Sequence, residues 1–200
     1  MINVIIESDN FFLREGVKHC LIQASHEKLN ENITVLKDFN SESISASDVL
    51  VLFLHPGDES ICMEVLKNKR NGLVIFFSDN TKKQAPPSAA CHARSLHFSL
   101  TDSVNQIISE ISNALTVEFK SLLYPPPNCK DCRVRRLTQQ QIIILDLLMS
   151  GISPEEISIK LDVSIKAIHY HKYNIMKQYG LRNDYELFIF HKNRCRKNMI

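Results

Sequence analysis

No stretch of this 200-residue chain is long and apolar enough to cross a bilayer, because its longest strongly apolar run, residues 49–54, falls far short of the ~20 residues a spanning helix needs. A secretory signal pattern is missing as well, so a soluble, cytoplasmic chain without membrane contact is expected. In that setting the six cysteines imply a reducing compartment rather than a disulfide framework. Cys129 and Cys132 form a C-x-x-C, but no second C-x-x-C supplies the other half of a four-thiolate zinc site, which leaves chance or local redox chemistry. His191 and Cys195 would complete a ligand set only if the tail folded back, so no metal is expected. Cys20, Cys62 and Cys91 read as small core or surface residues. Internal repeats and extended low-complexity segments are lacking too. Apart from the two spaced cysteines nothing resembles a catalytic pair, so neither catalysis nor a cofactor is expected.

What the chain does have is an uneven charge. Residues 1–118 hold 10 Lys and Arg against 15 Asp and Glu, whereas residues 119–200 hold 14 against 7. The bland overall value of +2 conceals an acidic front and a basic back, and only the back suits a polyanion. The length fits two domains of roughly 100 residues each. Between them, residues 119–136 contain Pro125, Pro126 and Pro127, which cannot continue a helix and favour a semi-rigid spacer. Arg133, Arg135 and Arg136 follow, either as a solvated cluster or as phosphate contacts. The expected organisation is therefore a first domain over 1–118, a linker over 119–136 and a second domain over 137–200.

In the front domain, short apolar runs at 3–6, 33–36, 49–54, 73–77 and 96–98 read as strands. Amphipathic or helical segments fall at 12–22, 59–66 and 102–114. Strands alternating with helices imply an α/β, doubly wound parallel sheet covered on both faces. The segment 78–94, with Pro86 and Pro87 and little periodicity, suggests a shortened or irregular helix.

The back domain reads as helices separated by capping signals. Thr138 with Gln141 and Ser153 with Glu156 have capping-box spacing. Pro154 presets the first turn of the second helix, and Gly151 ends the first. Ser164 caps a third helix that begins at Ile165, after a tight turn, and a further helix is expected near 183–192. Successive residues of the third helix lie about 100° apart around its axis, which puts Ile168, Ile175 and Tyr179 on one side, with His171 and Lys172 at its margins. Lys166, His169, Tyr170, Tyr173 and Lys177 share the opposite arc. An ordinary solvated face is the competing reading. The short preceding helix and the basic domain favour a helix that enters the major groove of duplex DNA.

These residues resemble the output domain of the LuxR/FixJ/NarL class, an all-α four-helix helix-turn-helix. Leu137, Thr138, Gln140 and Gln141 stand for the family's leading L-T-x-R-E. Gly151, Ser153, Glu156, Ile157, Ser158 and Leu161 follow its G-x-S and E-I-A-x-x-L patterns, and Ser164, Ala167, Ile168, His171 and Ile175 follow its third-helix signature. The resemblance implies base-edge contacts at His169, Tyr170 and Tyr173. It implies backbone contacts from Ser153, Ser164, Lys166, Ala167, Lys172 and Lys177. Ala167 replaces a threonine that usually meets phosphate, and Gln141 replaces the capping glutamate, which implies weakened affinity for this domain alone.

The front domain resembles a receiver, the phosphorylation module of two-component signalling. A working receiver needs an acidic pair for Mg²⁺ and an acceptor aspartate, because phosphoryl transfer concentrates negative charge. Here Ser8 and Asp9 stand for the pair, Phe53 for the acceptor and Ser78 for the hydroxyl after the fourth strand. The lysine expected after the fifth strand is Ser99 or Leu100. Asp48 and Asp58 are the alternative acceptors.

Together these features are similar to the RcsB group and its auxiliary partners of the RcsA and BglJ kind. The similarity implies a phosphorylation-independent regulator that binds double-stranded DNA as a homodimer or as a heterodimer with an RcsB-like response regulator. A protein-interaction subunit with little DNA affinity of its own and a ligand-sensing regulator are the alternatives. The lack of tryptophan weighs slightly against the family's acyl-homoserine-lactone branch.

Overall fold

The computed structural model describes residues 1–61, 63, 66, 69, 72–79, 95–118 and 136–197. It divides into two compact units. In the first, the elements run β1 Ile2–Glu7, α1 Phe11–Lys28, β2 Ile33–Val35, α2 Ser41–Ala46, β3 Val49–Leu54, β4 Leu73–Ser78, β5 Leu96–Ser99 and α3 Val104–Glu118. All strand pairs are parallel, and the order across the sheet is β2-β1-β3-β4-β5. The expected doubly wound α/β sheet is therefore observed.

The pleat explains why both sheet faces are apolar. Successive side chains of a strand point to opposite faces, so Val49 and Val51 join one core with Val4, Ile6, Ile75 and Phe77, covered by Leu21 and Ala24 of α1 and Ile111 and Leu115 of α3. Leu50, Leu52 and Leu54 join the other with Ile5, Val74 and Phe76, covered by Ile44 of α2. A strand buried on both sides cannot alternate polar with apolar residues, and β3 accordingly reads VLVLFL.

Helix boundaries differ from those expected in ways that burial accounts for. Helix α1 runs six residues beyond Ile22 because Ala24 and Ser25 also face the core. The Ser25 hydroxyl, enclosed there, donates to the Glu31 carbonyl at 2.7 Å. The short α2 was not expected: its sequence, SESISA, carries one apolar anchor, Ile44, and its start is fixed by the Asn40 side chain accepting from the Ser43 N–H. Within the expected helix over 59–66, the described residues show a 3-10 turn at Asp58–Ser60. Most of 78–94 and of the linker 119–136 lies outside the described residues, as do Cys62, Cys91, Cys129 and Cys132.

At the amino end of β3 a lysine is enclosed. Lys69 has no exposed surface, and its Nζ donates to the Ser47 carbonyl. Burial pushes its ammonium down to about 8, partly countered by the nearby Asp48 carboxylate. Gly72, at φ +95°, closes the same corner, where an added Cβ would lie 2.0 Å from the Asp48 carbonyl oxygen; only glycine tolerates that approach.

The second unit contains α4 Gln139–Met149, α5 Pro154–Leu161, α6 Ile165–Tyr179 and α7 Asp184–Lys197. Its core has two parts. Ile144, Ile157 and Ile168 meet at the junction of α4, α5 and α6, and Leu145, Ile175, Tyr179, Leu181, Leu187 and Phe190 fill the space between α4, α6 and α7.

The folded state holds the Lys69 proton less tightly than the unfolded chain, where an ordinary lysine value of 10.5 applies. Protonation at this site therefore opposes folding, fully below pH 8 and progressively less as pH rises toward 10.5. Stability should rise across that window in the wild type relative to Lys69→Met by about 3 kcal/mol. Chemical denaturation at several pH values measures this difference, and parallel profiles for the two proteins would contradict it.

Candidate nucleic-acid interface

Each helix of the second unit starts at a side chain that satisfies otherwise orphaned backbone donors. Thr138 Oγ1 accepts from the Gln141 N–H at 3.2 Å, and Gln141 Oε1 accepts in return from the Thr138 N–H at 2.9 Å. Glutamine thus completes the capping box in place of glutamate. Ser153 and Glu156 form the second box, at 3.2 and 3.0 Å, and those hydrogen bonds hold the Glu156 carboxyl below its ordinary range. Ser164 Oγ accepts from the Ala167 N–H at 3.2 Å and starts α6.

The turn between α5 and α6 is short because Asp162 adopts the left-handed conformation, with φ 52° and ψ 48°, and ends α5 at once. Ser158 Oγ reaches across to the Val163 carbonyl at 2.6 Å and secures it. At the other end of α6, Gly180 (φ 67°) stops the helix with its N–H bonded to the Met176 carbonyl. Two left-handed residues therefore delimit a 15-residue helix.

Around α6 the expected division is observed. Ile168, Ile175 and Tyr179 are buried; Tyr179 lies 4.4 Å from Phe190, ring centre to ring centre, and burial raises its phenol above the ordinary range. Lys166, His169, Tyr170, Tyr173 and Lys177 are exposed. Tyr170 and Tyr173 expose 63% and 60% of their surface, which leaves both rings available to a partner. Ala167, His171 and Lys172 are half-buried. Lys172 is also engaged, its Nζ lying 2.7 Å from Asp184 Oδ2 on α7. That pairing was not foreseen, since residues twelve apart on different helices share no sequence periodicity.

His191 is likewise tied within the unit. Its Nε2 lies 2.8 Å from Asp146 Oδ1 on α4, and Arg194 donates to the same oxygen at 3.0 Å. The imidazole thus faces a carboxylate on the neighbouring helix. Among the described residues, no group of three or more His, Cys, Asp or Glu is placed to hold a metal ion. The C-x-x-C cysteines fall outside them.

In the sheet unit, the strand order reverses between β1 and β3, and ligands of such folds collect beyond the carboxyl ends of the strands there. Ser8 and Asp9 follow β1 at this point. The Ser8 hydroxyl accepts from the Asn10 N–H at 3.1 Å, and Asn10 in turn caps α1 through the Phe12 and Leu13 N–H groups. Burial and the neighbouring Asp9 raise the Glu7 carboxyl. Phe53 is half-buried, packs on the core and stacks on Phe77 at 5.4 Å. None of the six side chains of β3 carries an oxygen. Ser78 ends β4 beside Ser99, which ends β5, and Leu100 follows. Of the alternative acceptors, Asp48 sits at the opposite end of β3, bonded to the Asn3 N–H at 2.7 Å, and Asp58 is buried and bonded to the His55 N–H at 3.0 Å.

Residues 135–191 match the sequence profile of a family described as bacterial regulatory proteins, luxR family. This segment is similar to LuxR-family helix-turn-helix domains. Beyond it, the chain is 28% identical over 147 residues to the oxygen regulatory protein NreC of Staphylococcus carnosus (strain TM300). That match covers 73% of this chain and 62% of the relative, just under two thirds of its length. Among solved structures, RcsB of Salmonella enterica serovar Typhimurium, bound to promoter P1flhDC with the phosphomimetic BeF3⁻, superposes with a TM-score of 0.57 at 20% identity. It covers 94% of this chain and 97% of that one. A complex of the two-component response regulator RcsB with DNA gives 0.52 at 20% identity, covering 94% and 96%. The two-part fold, a receiver-type sheet followed by a LuxR-type helical domain, is thus that of response regulators. No helix among the described residues is long and apolar enough to cross a membrane.

Replacing Asp162 by glycine should stabilise the helical unit, because a β-carbon in the left-handed region costs energy that glycine avoids. The expected gain is about 0.5–1 kcal/mol after the added freedom of the unfolded chain is offset. Thermal denaturation of Asp162→Gly tests this, and a lower melting temperature would count against it.

Proposed function

We propose that the chain is a DNA-binding transcription regulator, that α6 is its reading helix and that its receiver-like domain works without phosphorylation. The observation that carries this is the division of α6, anchored by three buried side chains while Lys166, His169, Tyr170, Tyr173 and Lys177 stand out together. One α-helix fits the major groove, and a helix gripped from behind presents its outer face there as a rigid body. NreC is by name a regulatory protein and RcsB has been solved on DNA, which supports the same reading.

The roles proposed on that face follow from chemistry. His169, Tyr170 and Tyr173 supply single hydrogen bonds and apolar contact to base edges. Lys166 and Lys177, with Ser153, Ser164 and Ala167 at the helix starts, lie toward the phosphates. The exposed arc has no arginine, asparagine or glutamine, whose planar groups fix two hydrogen bonds to guanine or adenine at once; its two lysines are flexible point charges. A single domain of this kind discriminates weakly, which favours paired action on adjacent half-sites one helical turn apart. The pairing proposed is with a second copy or with an RcsB-like response regulator. Tyr185 and Phe188, exposed by 71% and 45% on one side of α7, offer apolar surface for it. RcsB itself has been solved as two dimers on two DNAs, a chain of the same fold here, at a TM-score of 0.51. The proposed setting is the cytoplasm.

Phosphorylation independence rests on β3. A benzyl ring at Phe53 and leucines on either side offer no oxygen to a phosphoryl group, and Ser8 removes one carboxylate from the Mg²⁺ pair. Small-molecule phosphodonor with Mg²⁺ should therefore leave the chain unlabelled; stoichiometric, Mg²⁺-dependent label would refute this part of the proposal.

The reading helix is tested by two substitutions measured on specific and random duplexes over a range of salt. Tyr173→Ala should weaken specific binding by about tenfold, or 1–2 kcal/mol, and nonspecific binding much less. Lys177→Ala should weaken both and lower the salt slope by about 1. Equal losses for both variants on both duplexes would remove the assignment of roles.

A further inference from the structure

The helix proposed to read DNA carries no Asp or Glu anywhere in its sequence, IKAIHYHKYNIMKQY. One carboxylate is nevertheless delivered to it from elsewhere. Asp184, in the first turn of α7, places Oδ2 2.7 Å from Lys172 Nζ. The lysine side chain is 26% exposed and the aspartate 70%, so the pair lies at the surface. The start of a helix favours a carboxylate through its dipole, which accounts for the acid's placement without a role in the core. Lys172 sits one turn from His169 and beside Tyr173, at the edge of the outward arc. In a groove-bound helix the flanks of that arc run along the phosphate backbones.

We propose that Asp184 is an affinity-setting residue: it neutralises Lys172 in the free chain, and duplex DNA must draw the lysine away from it. The inference rests on α6 being the DNA-reading helix. Ion pairs between exposed groups are weak, so the exchange of carboxylate for phosphate is readily made. Its net release of counterions is reduced, because the bared Asp184 carboxylate attracts cations in turn and keeps a negative charge beside the duplex. Lys172 therefore contributes little to the salt dependence while Asp184 is present. Removing the acid frees the lysine to act as a full phosphate contact.

The test uses the full chain and a random-sequence duplex of about 30 base pairs, with affinity followed across salt. Asp184→Asn should steepen the log–log salt slope by about 0.9, and a single contact of that slope tightens binding about fivefold between 1 M and 0.15 M salt. Lys172→Met should leave the wild-type slope nearly unchanged and abolish the gain in the Asp184→Asn background. Should Asp184→Asn fail to fold, Asp184→Ser, which also suits a helix start, takes its place; the melting temperature of each variant monitors this. Unchanged affinity and slope in Asp184→Asn would overturn the inference, as would an equal effect of Lys172→Met in both backgrounds. If the wild type itself shows no salt-dependent binding, and Lys166→Met and Lys177→Met change nothing, the DNA reading fails and takes this inference with it.

Discussion

Three isoleucines, one from each of α4, α5 and α6, set the geometry on which the helical unit depends. Ile144, Ile157 and Ile168 have no exposed surface and touch one another at the helix-turn-helix corner. Full burial of such a side chain stabilises by about 1.5–3 kcal/mol, and branching at the β-carbon leaves each with little rotational freedom. With Ile168 pinned, the rotation of α6 about its axis is fixed, and the tyrosines and lysines on its far side have only one direction in which to point. Farther along, Ile175 and the Tyr179–Phe190 ring pair hold the same helix against α7. Asp146 of α4, meeting His191 and Arg194, ties α7 to the helix that begins the unit.

The sheet unit combines the strand order of a ligand-binding α/β fold with an apolar third strand. Its strand order brings the ends of β1 and β3 together at the place where such folds bind ligands, but apolar side chains of β3 stand there. Phe53 joins the aromatic row formed with Phe77 and Phe98, so the end of β3 contributes to the core. A solvated carboxylate at that position would take no part in such packing. A third strand without a side-chain oxygen at that place is the observation behind the proposed mode of action, which does without phosphotransfer.

Most of the strands and helices were legible because burial imposes a period on sequence. All five strands fall within one or two residues of their apolar runs. The end of α4 and the starts of α4, α5 and α6 follow from Gly151, Thr138, Ser153, Pro154 and Ser164, whose backbone chemistry is local. The exceptions share a cause. Helix α2 hides in a serine-rich segment with one apolar residue, Ile44, and the last turn and a half of α1 is mostly polar yet buries Ala24 and Ser25. In both, the helix is sustained by what lies across from it. The exposed arc of α6 followed from 3.6-residue periodicity, whereas the Lys172–Asp184 and His191–Asp146 pairs joined residues that only packing brings together.

The order of amino acids alone determined where the helices of the second unit start, which strand is buried on both faces, that β3 carries no side-chain oxygen and which side of α6 faces out. Each of these depends on neighbours a few positions away, through capping, pleat or helical turn. Tertiary structure alone decided which charges are already spent. The partner of Lys172, the carboxylate at His191 and the enclosure of Lys69 against Ser47 depend on long-range approach, since electrostatic interaction falls with distance in space and is indifferent to distance along the chain.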